Sequence, residues 1–158
     1  MQWLVCLCVV AGASGQQDRG YGAKATTTGV NFGGYYTYAG GAYSTIHGGY
    51  YTTIYVRPYT AATGGAYSWN YGYGAVIGGG YKNRVTNSWS TILGGYTNTV
   101  TSAHATIGGG TANINKGSYA TISGGRIVTA AGSWSTAIGG YQNRATGAWS
   151  VVMGGGYK

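Results

Sequence analysis

Glycine pairs open at Gly33, Gly48, Gly64, Gly79, Gly94, Gly109, Gly124, Gly139 and Gly154, and each step is fifteen residues except the sixteen from Gly48 to Gly64. A fixed beat of this length marks a repeat architecture. Each unit is too small to bury a core alone, so the units must stack, and equivalent positions must form ladders. The sixteen-residue step contains "TTIYVRPYTAAT" with the chain's one proline, Pro58, and a bulge or short loop there would absorb the extra residue.

Other columns keep the same time. Five residues before the pair stands an aromatic or a histidine: Tyr43, Tyr59, Trp89, His104, Tyr119, Trp134 and Trp149. Three before it stand Thr45, Thr91, Thr106, Thr121 and Thr136, then Val151. Two before it stand Ile46, Ile92, Ile107 and Ile122, then Ala137 and Val152. Four after the first glycine stand Asn83, Asn98, Asn113 and Asn143. The segments "WSTIL", "HATI", "YATI" and "SWSTAI" are short, rich in β-branched residues and end at glycine, which predicts strands. The glycines at Gly79, Gly94, Gly109, Gly124, Gly139 and Gly154 are expected to turn the chain, since they reach positive φ without a Cβ clash. Asn tolerates the left-handed region and is expected at the following corner. No helical period is visible. The fold expected is all-β, a parallel β-solenoid or β-roll of about 15-residue coils.

Composition supports a hydrogen-bonded array over an irregular core. The chain has 158 residues, 33 of them glycine and 17 tyrosine. Glycine at that density raises the entropy cost of ordering the backbone. A regular ladder offsets it. The tyrosines, dense in "GGYYTYAGGAYSTIHGGYYTTIY", are read as rings stacked from coil to coil, ahead of an adhesive or cross-linkable surface.

Four segments follow. Residues 1–15 hold the apolar run "WLVCLCVVA" and then small residues, a signal-peptide pattern too short to span a bilayer. Both cysteines, Cys6 and Cys8, fall inside it, so the mature chain would carry no disulfide. Residues 16–32 are read as an N-terminal arm, 33–73 as Tyr/Gly-rich irregular repeats, and 74–158 as regular fifteen-residue repeats. The expected location is outside the cell, at a surface or in matrix, with no membrane span.

Strands such as "STIL" and "SVVM" are apolar on both faces, and such strands are usually covered on both. One face fills the coil, and the other calls for another copy of the chain. The phrases "STAIGG" (135–140), "STILGG" (90–95), "ATIGGG" (105–110) and "SVVMGG" (150–155) resemble the Ser-x-Ala-Ile-Gly repeats in the head domains of trimeric autotransporter adhesins. That resemblance implies parallel β-rolls that associate side by side as trimers at a cell surface and bind matrix or one another. It covers 74–158 well and 33–73 loosely, and the family's barrel anchor and coiled-coil stalk are not seen.

Catalysis is not expected. General acid–base chemistry needs a carboxylate, histidine or comparable group in a shaped site. The chain has one acid, Asp18, and two histidines, His47 and His104. His104 occupies the aromatic column and His47 lies beside a turn. No nucleophile–base set, metal-ligand cluster, phosphate loop or cofactor motif is present. The formal net charge of +8 is read first as solubilising charge, and second as attraction to an acidic polysaccharide or other extracellular polyanion. Nucleic acid is not expected. Arg84 and Arg144 share a column with Thr99, Ile114 and Thr129 between them, so no continuous basic ladder is foreseen. The threonine column raises ice binding as a minor reading. The leading expectation is an extracellular structural subunit of a self-assembling fibre, filament or coat. Its uncapped "VVMGGGYK" edge suggests end-to-end stacking. The alternative is an adhesin for glycans or matrix.

Overall fold

The computed structural model describes residues 17–18, 20–25, 28–55 and 57–156. The segment read as a signal peptide, both cysteines, Arg19 and Lys158 lie outside the described residues. Among the described residues nineteen strands, each two residues long, run from Gln17–Asp18 to Val151–Val152. They form two parallel sheets, one of ten strands and one of nine, and successive strands along the chain alternate between them. This is a parallel β-solenoid, and the described residues include no helix. No helix among them is long and apolar enough to cross a membrane.

Register is set by identity of columns. Thr91, Thr106, Thr121, Thr136 and Val151 pair in sequence, and beside them Ile92, Ile107, Ile122, Ala137 and Val152. In the second sheet Arg84, Thr99, Ile114, Thr129 and Arg144 align, beside Val85, Val100, Asn115, Ala130 and Ala145. A third line of single bridges joins Tyr21, Tyr35, Tyr50, Ala66, Tyr81, Tyr96, Thr111, Arg126 and Tyr141. Side chains alternate across a strand, so within each two-residue strand of the central coils one residue points in. Ile92, Ile107 and Ile122 are completely buried, with Val85 and Val100 facing them from the second sheet in one core. Each such isoleucine contributes about 2 kcal/mol by burial. A separate smaller core, Ala25, Ala39, Ile46, Ile54 and Ala62, serves the N-terminal coils. Among the described residues pairing already joins Gln17 to Val30, so the rungs also include described residues of 17–32 and 33–73.

The sixteen-residue offset gives way to fifteen between the strand Thr53–Ile54 and the strand Ala61–Ala62. Ile54 and Tyr55 sit sixteen residues from their partners Asn70 and Tyr71, whereas beyond the insertion Ala61 and Ala62 sit fifteen from Val76 and Ile77. The loop expected around Pro58 therefore interrupts no ladder.

The positive φ expected at Gly94, Gly109 and Gly124 falls instead on the second glycine of each pair, Gly95 (φ 93°), Gly110 (89°) and Gly125 (100°), where the backbones of two rungs approach most closely. Two further sequence expectations are corrected. The strands are only Thr–Ile and its equivalents, not "WSTIL" or "HATI". The aromatic column, from Tyr43 to Trp149, lies in the preceding turn with φ between +54° and +61°. Trp134 stays there because its N–H donates to the Ser118 carbonyl (2.9 Å), which closes the coil onto the rung below. The second correction concerns asparagine. The left-handed residue at the other corner precedes Asn: Lys82 (φ 54°), Thr97 (57°), Ala112 (54°) and Gln142 (56°). Asn83, Asn98 and Asn113 themselves are fully buried.

In that left-handed column stands Ile127, φ 59°, and a β-branched residue there is an outlier costing about 1–2 kcal/mol. Ile127 is partly exposed, so relief of strain outweighs the lost packing. Ile127→Asn is expected to stabilise the protein by about 1 kcal/mol, read as a raised denaturation midpoint. A lowered midpoint would show that the side chain's contacts dominate.

Candidate interaction surfaces

The buried asparagine corner is the most specified feature of the coil. Asn98 Nδ2 donates to the carbonyls of Gly94 (3.0 Å) and Gly110 (3.0 Å), one in its own coil and one in the next. Its Oδ1 accepts the Asn113 N–H at 3.0 Å, while its own N–H donates to Asn83 Oδ1 at 3.0 Å. Asn113 repeats the pattern with Gly109, Gly125 and the Val128 N–H. Each amide thus satisfies three backbone groups where two rungs meet, as buried polar groups require. Asn143 Nδ2 donates to the Gly139 carbonyl likewise, but its second acceptor is Gly154, one residue short of the equivalent position. At the N-terminal end the column continues as Thr37 and Thr52, and Thr37 bonds the Gly33 carbonyl.

Aromatic side chains line two corners. On the first, His104, Tyr119, Trp134 and Trp149 stack with centroids 4.7, 4.2 and 5.0 Å apart and planes within 4°. Trp89 belongs to the same column but packs edge-on to Tyr73 at 5.2 Å. On the second, Tyr21, Tyr35 and Tyr50 stack at 5.1 and 5.2 Å. Beside them Tyr36, Tyr51 and Tyr67 stack at 5.1 and 5.4 Å. The two rows meet edge to face, as in Tyr35 against Tyr36 at 4.6 Å and 90°. Stacking between coils, the expected use of tyrosine, is what these rows do. Pairs of this kind add about 0.5–1.5 kcal/mol each, which helps to offset the left-handed turns on which they sit. Inner rings such as Tyr119 and Trp134 have a stacked neighbour on each face.

The outer face of the ten-stranded sheet carries Thr91, Thr106, Thr121 and Thr136 in register, each half-buried. Two residues further along, the outward positions are Leu93, Gly108, Ser123, Ile138 and Met153. They differ in size from rung to rung, so the face is not a regular two-column array of hydroxyls. Leu93 is 61 %, Ile138 49 %, Val151 60 % and Met153 76 % exposed. Tyr55 and Tyr71 stack at 4.1 Å on the other sheet, with the Arg84 guanidinium 5.4 Å from the Tyr71 ring centre. Burial and a hydrogen bond with Tyr55 raise the Tyr71 phenol above the usual tyrosine value, against the lowering effect of Arg84.

Among the described residues no three His, Cys, Asp or Glu side chains gather where they could hold a metal ion. His104 is an exposed member of the stack and His47 packs on Phe32 at 4.8 Å. Among the described residues the surfaces that the coil assembles are ladders. Sequence columns located Thr and Ile, and they aligned the aromatics without placing them in the turn. The recurrence of Asn four residues after glycine is plain in the sequence, but turn propensity hid its meaning: a side-chain amide there reaches back to that glycine's carbonyl and is buried.

These features define a β-solenoid repeat protein rich in tyrosine. No family model matches the chain, and no curated protein is similar to it. What the structure shows of the sequence reading is parallel stacked coils about fifteen residues apart, and no family match relates the chain to adhesin heads.

Proposed function

We propose that this chain is an extracellular structural protein, a repeat-built subunit that associates with copies of itself in a fibre, filament or coat. The observation that supports this most is the outer face of the Thr–Ile sheet. It has no Lys or Arg among the described residues, and it presents Leu93, Ile138, Val151 and Met153 to solvent. Exposed apolar side chains aligned on one flat face mark an association surface, and its complement is the same face on a second copy. Trimerisation, as the adhesin-head resemblance implies, is one closed form of that contact. Secretion places such an assembly outside the cell, and the ladders supply stiffness, with no chemistry required.

Ultracentrifugation and electron microscopy of the mature chain without added ligand test this reading. The wild type is expected to form trimers, filaments or sheets, and the triple variant Leu93→Lys, Ile138→Lys, Met153→Lys to disperse into monomers. A wild type that stays monomeric at all accessible concentrations contradicts it.

A further inference from the structure

Coiling sorts the charges onto one side. Of the nine Lys and Arg residues, Arg19 and Lys158 lie outside the described residues, which leaves Lys24, Arg57, Lys82, Arg84, Lys116, Arg126 and Arg144. All seven fall on the nine-stranded sheet, its leading corner or the loop that leaves it. Lys24, Arg84 and Arg144 occupy the outward column of its strands. Lys116 follows the strand Ile114–Asn115 by one residue, on the same outward side. Lys82 and Arg126 sit on the tyrosine-bridge corner that leads into the sheet. In sequence the Arg84–Arg144 column looks broken, because Thr99, Ile114 and Thr129 intervene. Folding fills the gap from neighbouring columns, with Lys116 two rungs beyond Arg84, Arg126 beside the next rung and Arg144 on the one after.

We propose that this flank binds a linear acidic polysaccharide, laid along the solenoid axis so that successive anionic sugars meet successive rungs. From Arg84 to Arg144 is four rungs at about 4.8 Å, or about 19 Å of straight track. The chain's single acid, Asp18, lies on a strand four rungs before Ile77, which precedes Arg84, so along the track no Asp or Glu competes with the ligand. Three of the cations are held in place by rings: Arg84 over Tyr71 at 5.4 Å, Arg126 over Tyr141 at 5.5 Å and Lys82 over Tyr81 at 5.3 Å. Pre-placed side chains lose less freedom on binding. A ligand of this kind needs repeated anionic groups on an extended backbone, and sulfated and carboxylated polysaccharides both supply them. Single-stranded nucleic acid would also want open aromatic faces for its bases. Tyr81 and Tyr96 on this corner are stacked on each other at 5.1 Å and 7°, so that platform is taken. The proposal goes beyond self-association and uses the opposite sheet.

Binding is measured by calorimetry with four probes: heparin, polygalacturonate, a neutral dextran and duplex DNA. The first two are expected to bind, and the stronger of them identifies the preferred anion. Raising salt from about 0.1 to about 1 M, which shortens screening from about 10 to about 3 Å, is expected to abolish binding. Arg84→Gln, Lys116→Gln, Arg144→Gln together are expected to weaken it at least tenfold. These side chains are exposed, and an unchanged circular-dichroism spectrum checks the fold. Adding Thr91→Lys, Thr106→Lys, Thr121→Lys to that triple variant restores net charge on the wrong face and is expected not to restore binding. Full rescue there, unchanged affinity of the triple variant, insensitivity to salt, equal binding of dextran or tighter binding of DNA would each overturn the proposal. Loss of polysaccharide binding with assembly intact sinks this inference alone, and loss of assembly with salt-sensitive binding intact sinks only the structural reading.

Discussion

Gly110→Ala is expected to cut the solenoid in two, while Gly109→Ala, one residue away, leaves it intact. Gly110 has φ +89°, and a Cβ there would lie 2.2 Å from the Gly125 carbonyl oxygen and 2.6 Å from Asn113 Nδ2. That oxygen already accepts the Thr111 N–H at 2.9 Å and Asn113 Nδ2 at 3.0 Å. The methyl group therefore lands where two rungs bond, and it adds left-handed strain besides. Neither neighbour can yield without parting the ladder, so the cost is about 4 kcal/mol or more, in the range reserved for backbone clash and special dihedrals. A Cβ on Gly109 meets nothing within 4 Å, and its φ is outside the left-handed region. There alanine only restricts the unfolded chain, and a gain of up to about 1 kcal/mol is expected. Each coil touches only its neighbours, so damage stays local. Hydrogen exchange should accelerate first in Thr106–Ile107 and Thr121–Ile122, and denaturant unfolding of Gly110→Ala should separate into two steps. Equal stability of the two variants would show that the coils do not meet as described.

Asn98→Ala is expected to destabilise the chain by about 3 kcal/mol. The substitution leaves the buried Asn113 N–H without its acceptor and the Gly94 and Gly110 carbonyls without a side-chain donor. Gly110 keeps its bond from the Tyr96 N–H at 2.9 Å, so the full loss falls on the other two groups. Unsatisfied buried groups cost about 1–3 kcal/mol each. Chemical denaturation measures the loss. A change below about 0.5 kcal/mol, the range of neutral surface substitutions, would mean that water replaces the amide and the corner is not sealed.

These two sites show what could be read from sequence and what could not. The fifteen-residue spacing of glycine pairs gave the stacking, and the Thr–Ile columns gave the register, because ladder pairing needs nothing more than identity at a fixed interval. Residue preference misplaced the aromatics. Trp89 and Trp134 favour strands in general, yet here they occupy a left-handed turn, since closing the coil requires their N–H to reach back one rung. Asn98 went to the interior for the complementary reason. A tight corner between rungs buries carbonyls that a short polar side chain can reach, and an amide reaches two of them at once, a demand visible in three dimensions and not in turn statistics. The basic flank was hidden because its members come from different columns. Lys116 and Arg126 belong to no repeat of Arg84 in sequence, and only the path of the coil brings them onto one side.

Spin-label distances test the stacking most directly. With Cys6 and Cys8 replaced by Ser, label pairs are placed at Thr45 and Thr91, Thr45 and Thr106, and Thr45 and Thr136, all on the outer face of one sheet. These pairs are three, four and six rungs apart, so narrow distributions are expected whose means grow by about 4.8 Å per rung, from about 14 to about 29 Å. Broad distributions, or means that fail to rise in step with the rung count, would contradict in-register coils.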